Sequence, residues 1–137
     1  MAFDYGRRRI GVACGDTLSR SASPLGTVRS GPASGPWEAI GEFVAAWQPA
    51  LAIVGLPYNV DGTEGDLAAA ARGFASELAR RHALPVELVD ERYSSLEAGE
   101  RLRAARVSGR RTRRVAAADL DAAAAGIILE RWFDERE

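Results

Sequence analysis

Three groups of acidic residues stand at the ends of segments that read as regular secondary structure. Asp4 lies in an opening AFDYG segment, Asp90 and Glu91 close a VELVDER segment, and Asp119 and Asp121 begin an apolar C-terminal segment. Carboxylate oxygens are the ligands that hard divalent cations such as Mg²⁺ prefer. A pair of such cations can activate an attacking water and stabilise the leaving oxygen of a phosphodiester. The sequence therefore predicts a shared cation site and phosphodiester hydrolysis, provided that the fold gathers these acids.

The acids of the two strand segments are the first candidate ligands. Asp4 lies between apolar residues in a short strand, where a carboxylate is costly to bury unless a cation or a donor meets it. The alternative is an acid that caps the turn at Gly6. Asp90 and Glu91 are adjacent, so their side chains point to opposite faces of an extended chain and only one of them faces the site easily. We favour Glu91 and keep Asp90 as the alternative.

The two acids of the C-terminal helix have different predicted roles. Residues two apart lie about 200° apart around a helix, so Asp119 and Asp121 cannot share a face. Asp121 falls on the apolar stripe that faces the core, and Asp119 is better placed as the N-cap. A purely structural role for both is possible, because acids near a helix N-terminus are favoured by the helix dipole. We predict Asp121 as the third ligand.

Apolar spacing predicts five strands and four helices. Two short strands joined by a tight turn form a hairpin, and a third strand precedes a loop rich in glycine and proline. A helix ending near Pro49, a strand at LAIVGLP that is buried on both faces, and a helix with a capping box at Thr63 and Asp66 follow. VELVDE is the fifth strand, a second capping box at Ser94 begins another helix, and an apolar helix ends the chain. The order predicts an α/β fold with a ribonuclease-H-like mixed sheet, in which three antiparallel strands are followed by parallel crossovers and helices cover both faces.

Arginine supplies all eighteen basic residues, and seven of them fall between residues 101 and 114, where there is no acid. Such crowding of like charges is repulsive unless an anion is present, and the planar guanidinium suits phosphate oxygens. A solvated loop is the alternative. We predict a clamp that positions a nucleic-acid backbone without reading its bases. Its members are Arg106, Arg110, Arg111, Arg113 and Arg114, extended by Arg7 and Arg8 of the run Arg7 to Arg9, at least one of which can simply decorate the hairpin turn.

Length and composition limit the class of protein. The 137 residues predict one domain, and the net charge of −1 means that any polyanion must be met by a local patch. The sequence has no apolar stretch long enough to span a bilayer and no signal-peptide pattern, which predicts a cytoplasmic protein without a membrane partner. Cys14 is the single cysteine, so an internal disulfide is excluded.

Four blocks of sequence carry a family resemblance: FDYGRRRIGVACGD at residues 3–16, IVGLPYNVDGTEG at 53–65, VDERYSS at 89–95 and DAAAAGIILERWF at 121–133. In this order they resemble the YqgF/RuvX family, whose members are described as Holliday junction resolvases or pre-16S rRNA nucleases. The blocks span almost the whole chain, which makes the resemblance specific. It implies a ribonuclease-H-like fold and a metal-dependent nuclease that acts on structured nucleic acid. The family's acids would fall on Asp4, the Asp90 and Glu91 pair, and Asp121.

Taken together, these observations predict a hydrolase in which Asp4, Glu91 and Asp121 are catalytic and hold one or two Mg²⁺ or Mn²⁺ ions. The resemblance implies structured RNA as the substrate, at the 5′ end of pre-16S rRNA. The first alternative is resolution of branched DNA, which needs two coordinated cuts and hence a symmetric dimer; we predict a monomer or a weak homodimer. The second alternative is a nucleic-acid-binding protein without catalysis. An ATP-binding protein of the actin-like superfamily is disfavoured, because that fold needs two domains.

Overall fold

A five-stranded mixed sheet forms the centre of the protein. The computed structural model describes residues 1–30, 35–57, 65–90 and 117–136, and for residues 90 and 117–119 it describes the backbone alone. The strands lie in the order β3-β2-β1-β4-β5, with β1–β2 and β2–β3 antiparallel and β1–β4 and β4–β5 parallel. The predicted mixed sheet, with three antiparallel strands followed by parallel crossovers, is confirmed. The elements are β1 (Ala2–Asp4), β2 (Arg9–Asp16), β3 (Ser21–Arg29), α1 (Trp37–Trp47), β4 (Ala52–Leu56), α2 (Asp66–His82), β5 (Val86–Asp90) and α3 (Ala117–Asp134).

Side chains alternate between two cores on opposite faces of the sheet. Phe3 of β1 packs in the core under α1 and α2, where its ring meets the ring of Phe74 edge to face at 5.7 Å between centroids. Its neighbour Ala2 packs instead under α3, together with Ile53 and Ile128. Because successive residues of a strand point to opposite faces, this alternation directs Asp4 towards α3. Every residue of β4 is buried, as the continuous apolar run predicts.

Two helix starts differ from the sequence prediction. α2 begins at Asp66 after Gly65, whose extended backbone carries no side chain to cap the helix, so the capping box predicted from Thr63 is wrong. α3 begins at Ala117, so Asp119 lies inside the first turn and is not the N-cap. The helix predicted from Ser94 lies outside the described residues. Within the described ranges, no helix is both long and apolar enough to cross a membrane.

Two glycines of β2 allow α3 to lie directly on the sheet. A Cβ atom built on Gly11 would stand 1.9 Å from the carbonyl oxygen of Asp121, far inside any van der Waals contact. A Cβ on Gly15 would stand 2.7 Å from Cδ2 of Leu129, two turns further along the helix. Any side chain at Gly11 therefore has to displace the backbone of α3, whereas one at Gly15 first meets the carbonyl oxygen of Ser21 in β3, at 2.4 Å, and then Leu129 of α3.

We expect Gly11→Ala to lower the free energy of unfolding by about 1–3 kcal/mol or more, because the added methyl overpacks a contact between two backbones. Urea unfolding followed by circular dichroism measures this change. Gly73→Ala is the matched control. Its Cβ would meet no atom within 4 Å on the exposed face of α2, so helix propensity should raise the stability by up to about 1 kcal/mol. Equal effects of the two substitutions would show that α3 does not press on Gly11.

Candidate active site

The fold brings two of the predicted ligand acids, Asp4 and Asp121, to the same place. Asp4 is the register partner of Gly11 across the antiparallel pair β1–β2. Residues directly opposite one another in such a pair point to the same face, with Cα atoms about 4.5–5.5 Å apart. That face of Gly11 is covered by the backbone of Asp121. The strand end and the helix start are therefore neighbours, although they lie at opposite ends of the sequence.

Asp121 is held by an arginine that the sequence does not single out. Nε of Arg9 donates a hydrogen bond to Oδ2 of Asp121 at 2.7 Å, and the two side chains form an ion pair. The Asp121 side chain is 24% exposed and that of Arg9 is 48% exposed, so the pair lies at the rim of the sheet. The two-residue period of β2 puts Arg9 on the same face as Gly11, which is the signal that separates it from its neighbours Arg7 and Arg8.

A positively charged depression opens beside Asp121. It has a volume of about 390 Å³ and is lined by Gly6, Arg7, Arg8, Arg9, Leu67 and Asp121. Arg7 and Arg8 are exposed, so their guanidinium groups are accessible to a ligand. Arg7 and Arg8, the two arginines of the hairpin turn that are predicted to bind nucleic acid, therefore lie next to a predicted catalytic acid. A second cavity of about 270 Å³ lies at the other end of β2, between apolar residues of α3 such as Leu129 and the exposed Trp47.

The remaining predicted site residues do not all fall within the described part of the chain. Glu91 lies outside it, as do Arg106, Arg110, Arg111, Arg113 and Arg114. Asp90 closes β5, where its backbone pairs in register with Leu56. Asp16, at the end of β2, accepts a hydrogen bond from the backbone N–H of Leu18 at 2.7 Å and is therefore a turn acid.

The described acids fit part of a divalent cation site. Asp4 and Asp121 offer hard oxygen donors on one face of the sheet, and Asp121 already holds a cationic group, the Arg9 guanidinium. Among the residues with described side chains, no three histidine, cysteine, aspartate or glutamate residues lie close enough to hold a metal ion. Because Mg²⁺ usually takes only one or two protein carboxylates and keeps several waters, two acids and one further oxygen ligand are sufficient.

The comparisons with known proteins agree with this fold. The family described as "RuvX: Holliday junction resolvase" matches residues 1–135. A protein of Burkholderia vietnamiensis named "Putative pre-16S rRNA nuclease" is 45% identical over 135 residues, which cover 98% of this chain and 88% of the relative. A protein of Dechloromonas aromatica with the same name is 46% identical over 134 residues, covering 98% and 89%.

Solved structures give the same fold at low sequence identity. The structure of T. thermophilus RuvC in complex with Holliday junction substrate aligns with a TM-score of 0.55 at 20% identity, over 98% of this chain and 92% of that chain. A second Thermus thermophilus RuvC structure aligns with a TM-score of 0.54 at 18% identity, over 98% and 93%. These alignments confirm the predicted ribonuclease-H-like fold. The match to the family over nearly its full length, and the identities above 40%, show that the chain belongs to the RuvX family.

Proposed function

We propose that this chain is a metal-dependent nuclease that processes the 5′ end of pre-16S rRNA. Membership of the RuvX family and the names of the close relatives support phosphodiester hydrolysis and a nucleic-acid substrate. The observation that carries the proposal is the placement of Asp4 and Asp121 around Gly11 on one face of the sheet, with Asp121 lining an arginine-rich depression. Carboxylates that gather at the end of a central strand next to guanidinium groups suit a cation and a phosphate together.

The proposed ligands are Asp4, Glu91 and Asp121, with Asp90 as the alternative to Glu91. The described part of β5 supports this choice. Val89 packs in the core beneath α3, and Glu87 forms an ion pair with Arg136, which follows the C-terminal end of α3. Alternate residues of an extended chain share a face. If the strand geometry continues, Glu91 shares the α3 face with Glu87 and Val89, which is the face on which Asp4 and Asp121 lie.

The chemistry of cleavage divides between the cation and the protein. A bound Mg²⁺ or Mn²⁺ supplies the charge that activates water for attack and stabilises the leaving oxygen. Arg7 and Arg8 bind the phosphate oxygens of the nucleic acid beside Asp121, because the planar guanidinium offers paired donors to them. The arginine-rich segment that ends at Arg114 grips the backbone on either side of the cleaved bond. Most of the affinity is then electrostatic and independent of sequence.

A second candidate function is resolution of a Holliday junction, which the family's own description favours. It requires two coordinated cuts and therefore a symmetric dimer, whereas cleavage of an RNA end requires one cut. We propose a monomer or a weak homodimer in the cytoplasm, and RNA as the preferred substrate.

We expect Asp4→Asn and Asp121→Asn each to lower the cleavage rate by at least about a hundredfold, since each removes a charged ligand of the cation. The assay measures cleavage of a precursor rRNA fragment and of a synthetic four-way junction with Mg²⁺, with Mn²⁺ and with chelator. Asp16→Asn is the matched control, because Asp16 lies at the other end of β2 and accepts a turn hydrogen bond there.

Cleavage that persists in chelator, or that both site variants retain, would contradict the metal mechanism. Binding of RNA with no cleavage under any metal would support the nucleic-acid-binding protein without catalysis. Faster cleavage of the junction than of the rRNA fragment would favour the resolvase function over RNA processing.

Replacing Arg110, Arg111, Arg113 and Arg114 with glutamine should flatten the dependence of RNA affinity on salt. If each arginine neutralises one phosphate, the slope of log K against log salt concentration should fall by about 3, because fewer counterions are released. Fluorescence anisotropy with a labelled RNA at several salt concentrations measures the slope. Arg80→Gln, which removes an exposed guanidinium in the last turn of α2, should leave the slope unchanged. An unaltered slope in the fourfold variant would remove that segment from the interface.

A further inference from the structure

Arg9 lies where two kinds of ligand would disturb its ion pair. A cation would compete with Arg9 for Asp121, and a phosphate would compete with Asp121 for Arg9. It donates to Oδ2 of Asp121 at 2.7 Å, and it lines the same depression as Arg7 and Arg8. Its side chain is about half exposed, so it can turn towards solvent without leaving a buried charge behind. Asp121 is the more enclosed partner at 24% exposure, and the helix backbone fixes it against Gly11. Of the two partners, Arg9 is therefore the one that can move.

We infer that Arg9 exchanges partners: it pairs with Asp121 in the free protein and with a phosphate oxygen of the nucleic acid once the acids hold a cation. This inference rests on the proposed function, because it takes Asp121 as a cation ligand. A guanidinium on Oδ2 opposes a divalent cation twice, since it occupies a ligand oxygen and repels the incoming charge. A phosphate that draws Arg9 away removes both obstacles. Cation and nucleic acid then strengthen each other's binding, and linkage requires the effect to be reciprocal.

The cation half of the inference is tested with Mn²⁺ alone, followed by electron paramagnetic resonance of the free ion. We expect Arg9→Gln to tighten Mn²⁺ binding on the order of tenfold, because the positive charge beside Asp121 is lost. The gain is not larger because solvent partly screens that charge in the original protein. Arg9→Lys keeps the positive charge, so its Mn²⁺ affinity should stay close to that of the original protein. An arginine that merely orients the Asp121 carboxylate through its fork would give the opposite result, with weaker binding in both variants.

Arg29→Gln is the matched control for charge. Arg29 is the register partner of Arg9 across β2–β3, so the two side chains share one face of the sheet, and Arg29 is also exposed. Its removal deletes one positive charge from the neighbouring strand without breaking the ion pair with Asp121. Mn²⁺ affinity should therefore change by less than about threefold.

The phosphate half is tested in chelator, where no cleavage occurs, by anisotropy with a labelled RNA hairpin. Asp121→Asn releases Arg9 from its ion pair and should tighten RNA binding. Arg9→Gln in the same chain should abolish that gain, whereas Arg29→Gln should preserve it. This double-mutant cycle separates the release of Arg9 from the general loss of one negative charge.

The outcomes distinguish this inference from the proposed function. If Mn²⁺ does not bind the original protein, or binds both Asp4→Asn and Asp121→Asn as tightly as the original protein, the cation site itself is overturned and this inference with it. If Asp121→Asn loses Mn²⁺ but Arg9→Gln binds it no more tightly than the original protein, the exchange of partners alone is overturned. A gain in RNA affinity that survives in the Asp121→Asn, Arg9→Gln double variant also overturns it.

Discussion

The contact between the backbone of Asp121 and Gly11 determines where α3 lies on the sheet, and the proposed site depends on it. No other residue than glycine leaves room for a carbonyl oxygen 1.9 Å from its Cβ position, so α3 approaches β2 at this point more closely than side chains allow. The register of β1 on β2 then places Asp4 opposite the same glycine. A missing side chain on one strand is thus the reason that two distant carboxylates share a surface.

The electrostatics of the site are local and balanced. A chain with a net charge of −1 has no general attraction for nucleic acid, yet it concentrates Arg7, Arg8 and Arg9 around Asp121. Acids alone would repel a phosphate, and arginines alone would repel a metal ion. Their interleaving at the rim of the sheet suits both, and in the proposed function it directs a polyanion to one end of the fold.

Much of this arrangement is predictable from the sequence, because the spacing of apolar residues distinguishes strands from helices. The run at LAIVGLP and the apolar stripe around Ile128 indicate β4 and α3, and the stripe also indicates that Asp121 faces inward. The helix starts are less predictable, since Thr63 and Asp119 match cap patterns while the backbone turns into a helix elsewhere.

The pairing of Arg9 with Asp121 is not predictable from composition, because three consecutive arginines look alike until the register of β2 separates them. Gly11 reads as an ordinary strand glycine until a helix is seen on it. The choice of Glu91 over Asp90 stays a prediction, as does the role of the segment that ends at Arg114.

The long helix α3 also has a consequence for how distant residues affect the carboxylate it carries. At its far end a guanidinium nitrogen of Arg20 donates to the carbonyl oxygen of Phe133 at 2.6 Å, and Gly15 lies against the side chains of Leu129 and Phe133. A helix transmits displacement along its axis as a stiff rod, and Phe133 lies about 18 Å from Asp121 along it. The tip of the β2–β3 hairpin is therefore mechanically connected, through α3, to the other end of β2, where Asp121 lies. A substitution at Arg20 or Gly15 can therefore tilt α3 and displace Asp121, although both residues lie far from that carboxylate.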